Sequence, residues 1–564
     1  MGWFSLRSGR PETALVAHPQ QAGLPEPRKQ RPLKPALPFV SDLDTPLLHL
    51  SKYRRDVWTL RNACEGLHVT GSTGSGKSSG SGKHLALAYL RAGFGGIVLC
   101  AKSAPSEWDV WEEYAAQTGR SAQLIRFDDE GIFRFNFLEY AALLNRDRQG
   151  RLVTQNIVEL IMKMSEAASR GAEMRGSAAE QPFWRLAPRE LLSHTIDALW
   201  TAYGRLRLDE VVHFILTAPR RPEDFGSAEA RSKSFCLQTL YQASFHPAEP
   251  IDGRDLYTVM QYFQHNFAVL DPETRSNIVT TMTSQFTPFL KGIMRELFCT
   301  HTTIVPELTH EGAIIVIDIP VDRYREAGLM AQHIFKYLWQ VATLQRDSRG
   351  AVRPVFCWAD EAQNFITPFD AEFQAVARSN RACTVYLTQT VSNYISMIGG
   401  NTPRETTMAF LANFVTKVFH RNDDHATNEM AAEMIGRNLQ MRSSKSRGFS
   451  SGEGKSEGSN YGYNSGHSSG SSGGQGESHF NISTNRGYSS GSNTGISFNS
   501  GFSVNDTLSE QMDLEVQPGA FGYLRSGGSE NDYQVEGLLF QAGRRFAANG
   551  NRNYLIASFD QRVQ

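Results

Sequence analysis

A glycine-rich segment carries the clearest chemistry in the sequence. Residues 71–78 have the sequence GSTGSGKS, which matches the G-x-x-x-x-G-K-S/T pattern of a phosphate-binding loop. An apolar run, Leu67–Thr70, precedes this loop, and the helical pattern His84–Leu90 follows it. Backbone N–H groups of such a loop and the N-terminus of its helix bind phosphate oxygens. The predicted nucleotide-binding residues are Gly71, Ser72, Thr73, Gly74, Ser75, Gly76, Lys77, Ser78 and Ser79.

Two side chains of this loop have specific predicted tasks. Lys77 would contact the β- and γ-phosphates, and the Ser78 hydroxyl would bind Mg²⁺. A second Gly-Lys pair, Gly82-Lys83, follows closely, but His84 stands in place of the Ser or Thr and no strand precedes the pair. We therefore predict that Lys83 is an ordinary helix residue.

Two adjacent carboxylates follow a second apolar strand, Val355–Ala359. Because the carboxyl ends of parallel strands meet at one edge of a sheet, Asp360 is predicted to complete the Mg²⁺ site beside Ser78. Glu361 is then placed to orient and polarise the attacking water as a general base. Asp318, at the end of the apolar run GAIIVIDIP, is the competing candidate for the metal ligand.

Polar residues also flank the next predicted strand, Ala382–Gln389. Gln389, at its end, would either sense the γ-phosphate through a hydrogen bond or cap the strand. Arg378 and Arg381 lie in the basic turn before the strand. Either arginine would reach the γ-phosphate of a neighbouring subunit in a ring of identical chains, or remain a solvated surface charge.

The elements that must position these residues predict an α/β fold. Apolar strands alternate with helical patterns at residues 67–127 and again at 312–419, which is typical of a doubly wound parallel sheet. Between them, residues 136–311 carry apolar residues at helical spacing, which indicates an inserted all-α domain. Three further strands are predicted at Ala520–Leu524, Tyr533–Gln541 and Tyr554–Phe559.

The predicted domain organisation has six segments. Residues 442–508 are rich in Ser and Gly; we expect disorder for Gly452–Ser478 and weak β-structure for His479–Val504. The segments are a flexible Pro-rich, basic tail (1–45), the first part of the α/β domain with the phosphate loop (46–135), the all-α domain (136–311), the second part of the α/β domain (312–441), the Ser/Gly-rich insert (442–508), and the C-terminal strands that complete the α/β domain (509–564).

Composition limits the class of protein further. The 564 residues include 57 basic and 58 acidic residues, a net charge of −1, so bulk charge does not indicate nucleic-acid binding and any such contact must be local. The six cysteines are scattered and are predicted to be buried thiols. No run approaches the roughly 18 apolar residues of a membrane helix. The sequence thus predicts a soluble, cytoplasmic protein.

Taken together, the motifs resemble those of the conjugative coupling ATPases of the TraG/TraD type of type IV secretion. These belong to the FtsK–HerA superfamily of ring-shaped DNA pumps. The resemblance covers about residues 60–440 and resumes at about 510–560. Its motifs are GSTGSGKS, FNFLEY at 135–140, the long helical insert, WADEAQNF followed by ARSNRACTVYLTQT, and FHRNDDHATNEMAAEMIG at 419–436.

The resemblance implies a RecA-like motor domain with an inserted all-α domain, assembled as a homohexamer around DNA. It implies ATP and Mg²⁺ as ligands, with Asp360 and Glu361 as the second acidic motif and Gln389 as the sensor. In the family the finger arginine precedes the sensor by the interval that separates Arg378 from Gln389, which favours Arg378 over Arg381. The implied partners are non-specifically bound DNA, relaxase or relaxosome proteins, and secretion-channel proteins.

The chain departs from the family pattern in two informative places. Relatives usually carry N-terminal membrane helices, so a separate membrane partner is expected to bring this chain to the inner membrane. Many relatives have an acidic residue before the lysine that follows the second strand, where this chain has Cys100-Ala101-Lys102, so Lys102 is a weaker site candidate. The leading hypothesis is a DNA-translocating coupling protein; the alternatives are an ATPase powering pilus or protein export and a HerA-like DNA-processing ATPase with a partner nuclease.

Overall fold

The computed structural model describes residues 38–173, 182–399, 401–456, 465–474, 477–488 and 495–563, and most of the predicted N-terminal tail lies outside them. The chain divides into two compact units, one of residues up to 427 together with 521–564 and one of residues 428–520. In chain order the strands are β1 (Pro46–His49), β2 (Val57–Thr59), β3 (Leu67–Thr70), β4 (Gly95–Leu99), β5 (Leu124–Phe127), β6 (Ile314–Ile317), β7 (Val355–Ala359), β8 (Ala382–Thr388), β9 (Thr416–Phe419), β10 (Arg437–Ser456), β11 (Ser465–Gly474), β12 (Glu477–Tyr488), β13 (Gly495–Leu514), β14 (Gln534–Gln541) and β15 (Tyr554–Asp560).

A nine-stranded sheet forms the centre of the larger unit. Its strand order is β15-β14-β9-β3-β8-β7-β4-β6-β5. The seven strands from β9 to β5 are mutually parallel, whereas β14 and β15 add to the β9 edge in antiparallel orientation. Strands such as β6 and β7 are buried along their whole length, which explains why their sequences are continuous apolar runs. The predicted α/β fold with a parallel sheet is confirmed.

Helices fill the connections between these strands. Within the described residues, the chain between β5 and β6 is helical and contains α4 to α12, as the 3.6-residue periodicity predicted. In chain order the helices are α1 (Leu60–Cys64), α2 (Lys83–Arg91), α3 (Glu107–Gln117), α4 (Phe137–Leu144), α5 (Thr154–Glu173), α6 (Pro182–Tyr203), α7 (Leu208–Leu216), α8 (Ala228–Lys233), α9 (Phe235–Phe245), α10 (Gly253–Gln261), α11 (Pro272–Phe286), α12 (Gly292–Phe298), α13 (Val321–Gln345), α14 (Pro368–Ala377), α15 (Val391–Ile398), α16 (Pro403–Ala412) and α17 (His425–Ile435).

Strand register brings four loops to one edge of the sheet. Strand β8 lies between β3 and β7, with Thr70 opposite Thr388 and Ala359 opposite Tyr386. Leu99, at the end of β4, pairs with Ala359 on the other side of β7. Because these strands are parallel, the residues that follow β3, β4, β7 and β8 emerge together. This edge of the sheet is where the polar strand-end residues meet.

A buried ion pair fixes the segment that follows the β7 end. Lys336 of α13 and Asp370 of α14 are both buried, with their Nζ and Oδ2 atoms 2.5 Å apart. Tyr386 of β8 donates a hydrogen bond to Asp370 Oδ1 at 2.7 Å, and Gln340 donates a second at 2.8 Å. A buried carboxylate is stable only with such a set of partners, so this cluster holds two helices and β8 in one arrangement.

The C-terminal strands pack against the glycine-rich segment that precedes α2. Val535 of β14 lies so close to Gly76 and Gly80 that an added Cβ at either glycine would approach it within 2.6–2.8 Å. Glycine is therefore required at both positions for the strand to approach. The predicted strand at Ala520–Leu524 is wrong, because the chain forms a 3₁₀ helix over Pro518–Tyr523, with proline in its first turn.

The smaller unit is built around a four-stranded antiparallel sheet in the order β10-β13-β12-β11. We expected disorder for Gly452–Ser478, but the described part of that segment forms the end of β10, all of β11 and the start of β12. Each residue of β10 pairs with a residue of β13, from Arg437 opposite Leu514 to Ser456 opposite Gly495. Such pairing satisfies backbone hydrogen bonds even where apolar residues are few.

Two expectations from composition can be compared with the structure. The six cysteines are all buried and none is in a disulfide, as predicted. Among the helices of the described ranges, none combines the length and the apolar character that crossing a membrane requires.

Candidate active site

The glycine-rich loop follows β3 and leads into α2 through a π-helical turn, Ser78–Gly82. Gly74 and Gly76 have φ angles of +73° and +82°, the left-handed conformation that anion-binding turns of the backbone use. The loop is also bound to the strands beside it. Gly71 N donates to the Thr388 carbonyl at 3.2 Å, and Ser72 Oγ donates to the Arg421 carbonyl at 3.0 Å. The loop has the backbone geometry of an anion site.

The structure brings the loop and the two predicted carboxylates together. Ser78 Oγ donates a hydrogen bond to Asp360 Oδ2 at 2.6 Å. Lys77 Nζ lies 3.9 Å from Asp360 Oδ1 and 3.8 Å from Glu361 Oε1. The lysine side chain is 10% exposed and that of Glu361 is 6% exposed, so solvent screens these charges weakly. Residues 282 positions apart in the chain thus form one polar cluster.

Glu361 is held by donors from three directions. Its Oε1 accepts hydrogen bonds from Lys102 Nζ at 3.1 Å and from Gln389 Nε2 at 3.0 Å. Its Oε2 accepts one from Gln363 Nε2 at 2.9 Å. The backbone of Glu361 is in the left-handed region, with φ +51°, which is costly for a residue with a side chain. The surrounding contacts therefore enforce one orientation of this carboxylate.

These contacts also set the charge state of the site. Burial raises the pKa of Glu361, but hydrogen bonds from Gln363 and Gln389 and the positive charge of Lys77 outweigh burial and lower it to about 2. Glu361 is therefore ionised at neutral pH and accepts hydrogen bonds through both oxygens. In contrast, burial and the negative charge of Asp360 raise the pKa of Glu107, at the start of α3, to about 8.

The oxygen donors at the loop fit a magnesium ion. The Ser78 hydroxyl and the Asp360 carboxylate are adjacent, and both are ligand types that Mg²⁺ prefers. Mg²⁺ bound with nucleotides takes only one or two protein ligands, because phosphates and water supply the rest. Among the described residues, no group of three or more His, Cys, Asp or Glu side chains is arranged to hold a metal. The donor set thus fits Mg²⁺ bound together with a nucleotide.

Three other predicted candidates lie away from this cluster. Asp318 follows β6, two strands from β7, and binds Arg126 Nη2 at 2.6 Å. Arg378 lies before the start of β8, whereas Gln389 follows the end of that strand. The Nη1 atom of Arg378 is 3.2 Å from Glu65 Oε1. A strand of seven residues spans about 20 Å. Arg378 therefore lies at the amino ends of the parallel strands, whereas Glu361 lies at their carboxyl ends. Arg381 immediately precedes the same strand, with its backbone in the left-handed region.

Several residues of the cluster were not predicted from sequence. Gln363 and Glu107 had no predicted role, and Lys102 was only a weaker candidate. Lys102 lies three residues after Leu99, at the end of β4, and that position is the signal that places it beside the end of β7. A cavity of about 230 Å³ adjoins Ser78, Lys102, Glu107 and Asp360. At the other side of the loop, Gln561 Nε2 donates to Ser79 Oγ at 2.7 Å. No pattern in the sequence pairs these two residues, which are 482 positions apart.

Comparison with known proteins gives one family match and several structural likenesses. The family model described as the TraM recognition site of TraD and TraG matches residues 354–479. The bacterial conjugative coupling protein TrwBdeltaN70, in an unbound form, is 13% identical, with 92% of this chain and 91% of that chain covered and a TM-score of 0.49. TrwB in complex with a non-hydrolysable ATP analogue is 12% identical, with 94% and 91% covered and a TM-score of 0.49.

A third structural likeness, to VirB4 of Thermoanaerobacter pseudethanolicus, has 13% identity, 70% of this chain and 89% of that chain covered, and a TM-score of 0.40. A comparison with curated protein sequences gives no match. The segment matched by the family model begins just before β7 and contains Asp360, Glu361, Arg378 and Gln389. Over that segment, the resemblance of this chain to the coupling ATPases of the TraG/TraD type is confirmed.

Proposed function

We propose that this chain is an ATP-hydrolysing motor that moves DNA, as the coupling protein of a conjugative type IV secretion system. One observation carries the proposal: Lys77 and Ser78 of the glycine-rich loop lie against Asp360 and Glu361 at a single sheet edge. A phosphate-binding loop, a metal-binding carboxylate and a second carboxylate near the same point are the parts that phosphoanhydride hydrolysis needs. The family match supports the coupling-protein assignment.

Nucleotide binding would use the loop from Gly71 to Ser79. Its inward N–H groups and the Lys77 ammonium would contact phosphate oxygens, and Ser78 with Asp360 would hold Mg²⁺. The bound Mg²⁺ would supply positive charge that stabilises the phosphate oxygens as charge develops on them. ATP would displace the contacts that Lys77 makes with the two carboxylates.

Hydrolysis would use Glu361 as the base. A water in line with the γ-phosphate would donate a hydrogen bond to Glu361, and the carboxylate would take up its proton as the new P–O bond forms. The bond to the ADP oxygen breaks, which leaves ADP and inorganic phosphate. Gln389 already donates to Glu361 Oε1, so it would report the state of this carboxylate through β8.

We further propose that the motor is a homohexamer in which Arg378 acts on the neighbouring subunit. Arg378 stands at the sheet edge opposite to its own Glu361, so it has no route to the γ-phosphate of its own chain. The Arg378 side chain is 60% exposed, so solvent weakens its ion pair with the half-buried Glu65 and the pair costs little to separate. A guanidinium supplied between subunits stabilises the transferred phosphoryl group strongly.

Mixing two inactive variants tests this arrangement. Arg378→Ala should lower kcat by about 10³-fold, because an arginine finger contributes at least that much. Lys77→Ala should also be inactive but keeps its arginine. In a random mixture, about a quarter of the interfaces would join an intact loop to an intact Arg378, so hydrolysis should reappear. A mixture as inactive as its components would contradict action between subunits, and Arg381→Ala, as the control, should retain near-normal activity.

The remaining parts of the proposal concern organisation and partners. The motor domain would comprise residues 46–135, 312–441 and 509–564, with the all-α domain (136–311) and the Ser/Gly-rich segment (442–508) inserted. DNA would be bound through few, non-specific phosphate contacts, which a net charge of −1 permits. Relaxosome and channel proteins would be its partners, and a separate membrane protein would anchor this cytoplasmic motor at the inner membrane.

The experiment that tests the proposed function is ATP turnover of the purified chain with and without DNA. A translocase should hydrolyse ATP faster when DNA is present, because DNA engagement is part of its cycle. DNA-independent turnover would instead favour an ATPase that powers pilus or protein export. Co-purification of a nuclease would favour the DNA-processing alternative.

A further inference from the structure

The amide of Gln363 lies between the proposed base and the end of strand β8. Its Nε2 donates to Glu361 Oε2 at 2.9 Å, and its Oε1 accepts from Thr388 Oγ1 at 2.8 Å. A primary amide has a donor end and an acceptor end, and an ionised carboxylate accepts only. The hydroxyl of Thr388 therefore selects the one amide orientation in which the donor end faces Glu361.

Thr388 is well suited to this task. It is fully buried, and its Oγ1 has its shorter contact with Gln363, at 2.8 Å, against 3.4 Å to the Thr390 carbonyl. Its own carbonyl accepts the hydrogen bond from Gly71 N, the first residue of the phosphate loop. Thr388 thus contacts both the loop and the residue that orients the base.

Both oxygens of Glu361 are tied to the same strand end. Gln389, the next residue after Thr388, donates directly to Oε1, and Thr388 acts on Oε2 through Gln363. Hydrogen bonds that start from two neighbouring residues, Thr388 and Gln389, thus hold both oxygens of the carboxylate. The carboxylate cannot rotate without breaking one of them. Gln363 itself lies two residues beyond Glu361, across a turn with a left-handed backbone.

We propose that Thr388 and Gln363 form a positioning pair for hydrolysis, in which Thr388 orients the Gln363 amide and the amide aims Glu361 Oε2 at the attacking water. The inference rests on the proposed function, in which Glu361 is the base. Without the Thr388 hydroxyl, the amide is free to flip and to present its carbonyl oxygen to the carboxylate. Two acceptors then face each other, and Glu361 turns away from the water.

The test compares nearly isosteric variants of the full chain. Thr388→Val removes only the hydroxyl and should lower kcat about tenfold, and Gln363→Met should lower it about 10²-fold, the cost of misplacing a catalytic group by about 1 Å. KM for ATP should stay within about twofold of wild type, because the hydrogen bonds of both side chains go to Glu361, to Thr390 and to each other rather than to the phosphate loop. Thr388→Ser keeps the hydroxyl and should restore most of the activity.

The same strand offers a matched control. Thr384 is 3% exposed, lies four residues before Thr388 on the same face of β8, and its Oγ1 has no hydrogen-bond partner among the described residues. Thr384→Val should therefore leave kcat unchanged. An equal loss in Thr384→Val and Thr388→Val would mean a packing effect of β8 and would overturn the proposal.

Glu361→Gln, measured in parallel, distinguishes failure of the positioning pair from failure of the assignment of Glu361 as the base. If Glu361→Gln is inactive while Thr388→Val and Gln363→Met turn over like wild type, the positioning pair is wrong and the base assignment stands. If Glu361→Gln hydrolyses ATP normally, the proposed function of the site fails and the positioning pair fails with it. If Thr388→Val and Gln363→Met raise KM for ATP and leave kcat unchanged, these residues serve nucleotide binding, and the proposal would also be overturned.

Discussion

Replacing Lys77 with alanine is expected to lower kcat/KM for ATP by about 10³-fold or more, equivalent to about 4 kcal/mol of lost transition-state stabilisation. The Lys77 side chain is almost fully buried beside Asp360 and Glu361. Lys102 also contacts Glu361, but it follows β4 and lies outside the loop. Removal also leaves two neighbouring carboxylates without their shared cation, which disfavours the arrival of a phosphate. Turnover and the binding of a fluorescent ATP analogue measure the two effects separately.

Lys83→Ala is the matched control for this variant. Lys83 is the lysine of the second Gly-Lys pair, and its Nζ lies 3.4 Å from the Gln561 carbonyl and 3.8 Å from Glu113 Oε1. It contacts none of the carboxylates of the site, so its loss should change hydrolysis by less than about threefold, equivalent to about 0.7 kcal/mol in the barrier. If Lys83→Ala were inactive and Lys77→Ala active, the loop would have been assigned to the wrong residues.

Replacing Glu361 with glutamine is expected to stop turnover while ATP binding persists. The amide has almost the same shape but does not accept the proton of the attacking water, and we expect kcat to fall by about 10³-fold, within the range of a lost general base together with lost orientation. The contacts proposed for Lys77 with phosphate and for Ser78 with Mg²⁺ remain available in this variant. Bound nucleotide extracted after incubation with ATP should therefore be ATP rather than ADP.

A second strand-end acid provides the comparison for Glu361→Gln. Asp318 follows β6 and pairs with Arg126, away from the loop. Asp318→Asn should keep most of its hydrolysis per folded molecule, although breaking its pair with Arg126 lowers stability. Normal turnover by Glu361→Gln, or loss of metal-dependent hydrolysis in Asp318→Asn alone, would contradict the assignment of Asp360 and Glu361.

Sequence reasoning predicted the parts of the fold that depend on local patterns. The run Leu67–Thr70 is β3 with the same bounds, and the apolar runs ending at Asp360 and Gln389 are β7 and β8. Parallel strands send their carboxyl ends to one edge, so the meeting of the loop with Asp360 and Glu361 could be predicted from the parallel orientation of their strands. By contrast, Ala520–Leu524 has strand-like residues but forms a 3₁₀ helix after Pro518.

The contacts that orient Glu361 could not be predicted in the same way. Gln363 and Thr388 are 25 positions apart, and their hydrogen bond depends on which rotamers the turn after β7 and the end of β8 allow. Gln561 reaches Ser79 because the antiparallel β14 and β15 add to the β9 edge, which no feature of the loop indicates. Such partners depend on side-chain direction across elements, whereas sequence periodicity specifies only which face is buried.

We propose that one site, built from the ends of four parallel strands, drives movement along DNA. This proposal is tested most directly by the rate of ATP hydrolysis of the purified chain at saturating ATP and Mg²⁺, with single-stranded DNA, with double-stranded DNA and with none, and with Glu361→Gln as the blank. We predict that at least one form of DNA raises kcat about tenfold, a change of about 1.4 kcal/mol in the barrier, and that the blank stays inactive throughout. If the wild-type chain hydrolyses ATP at the same rate with single-stranded DNA, with double-stranded DNA and with none, this proposal is contradicted.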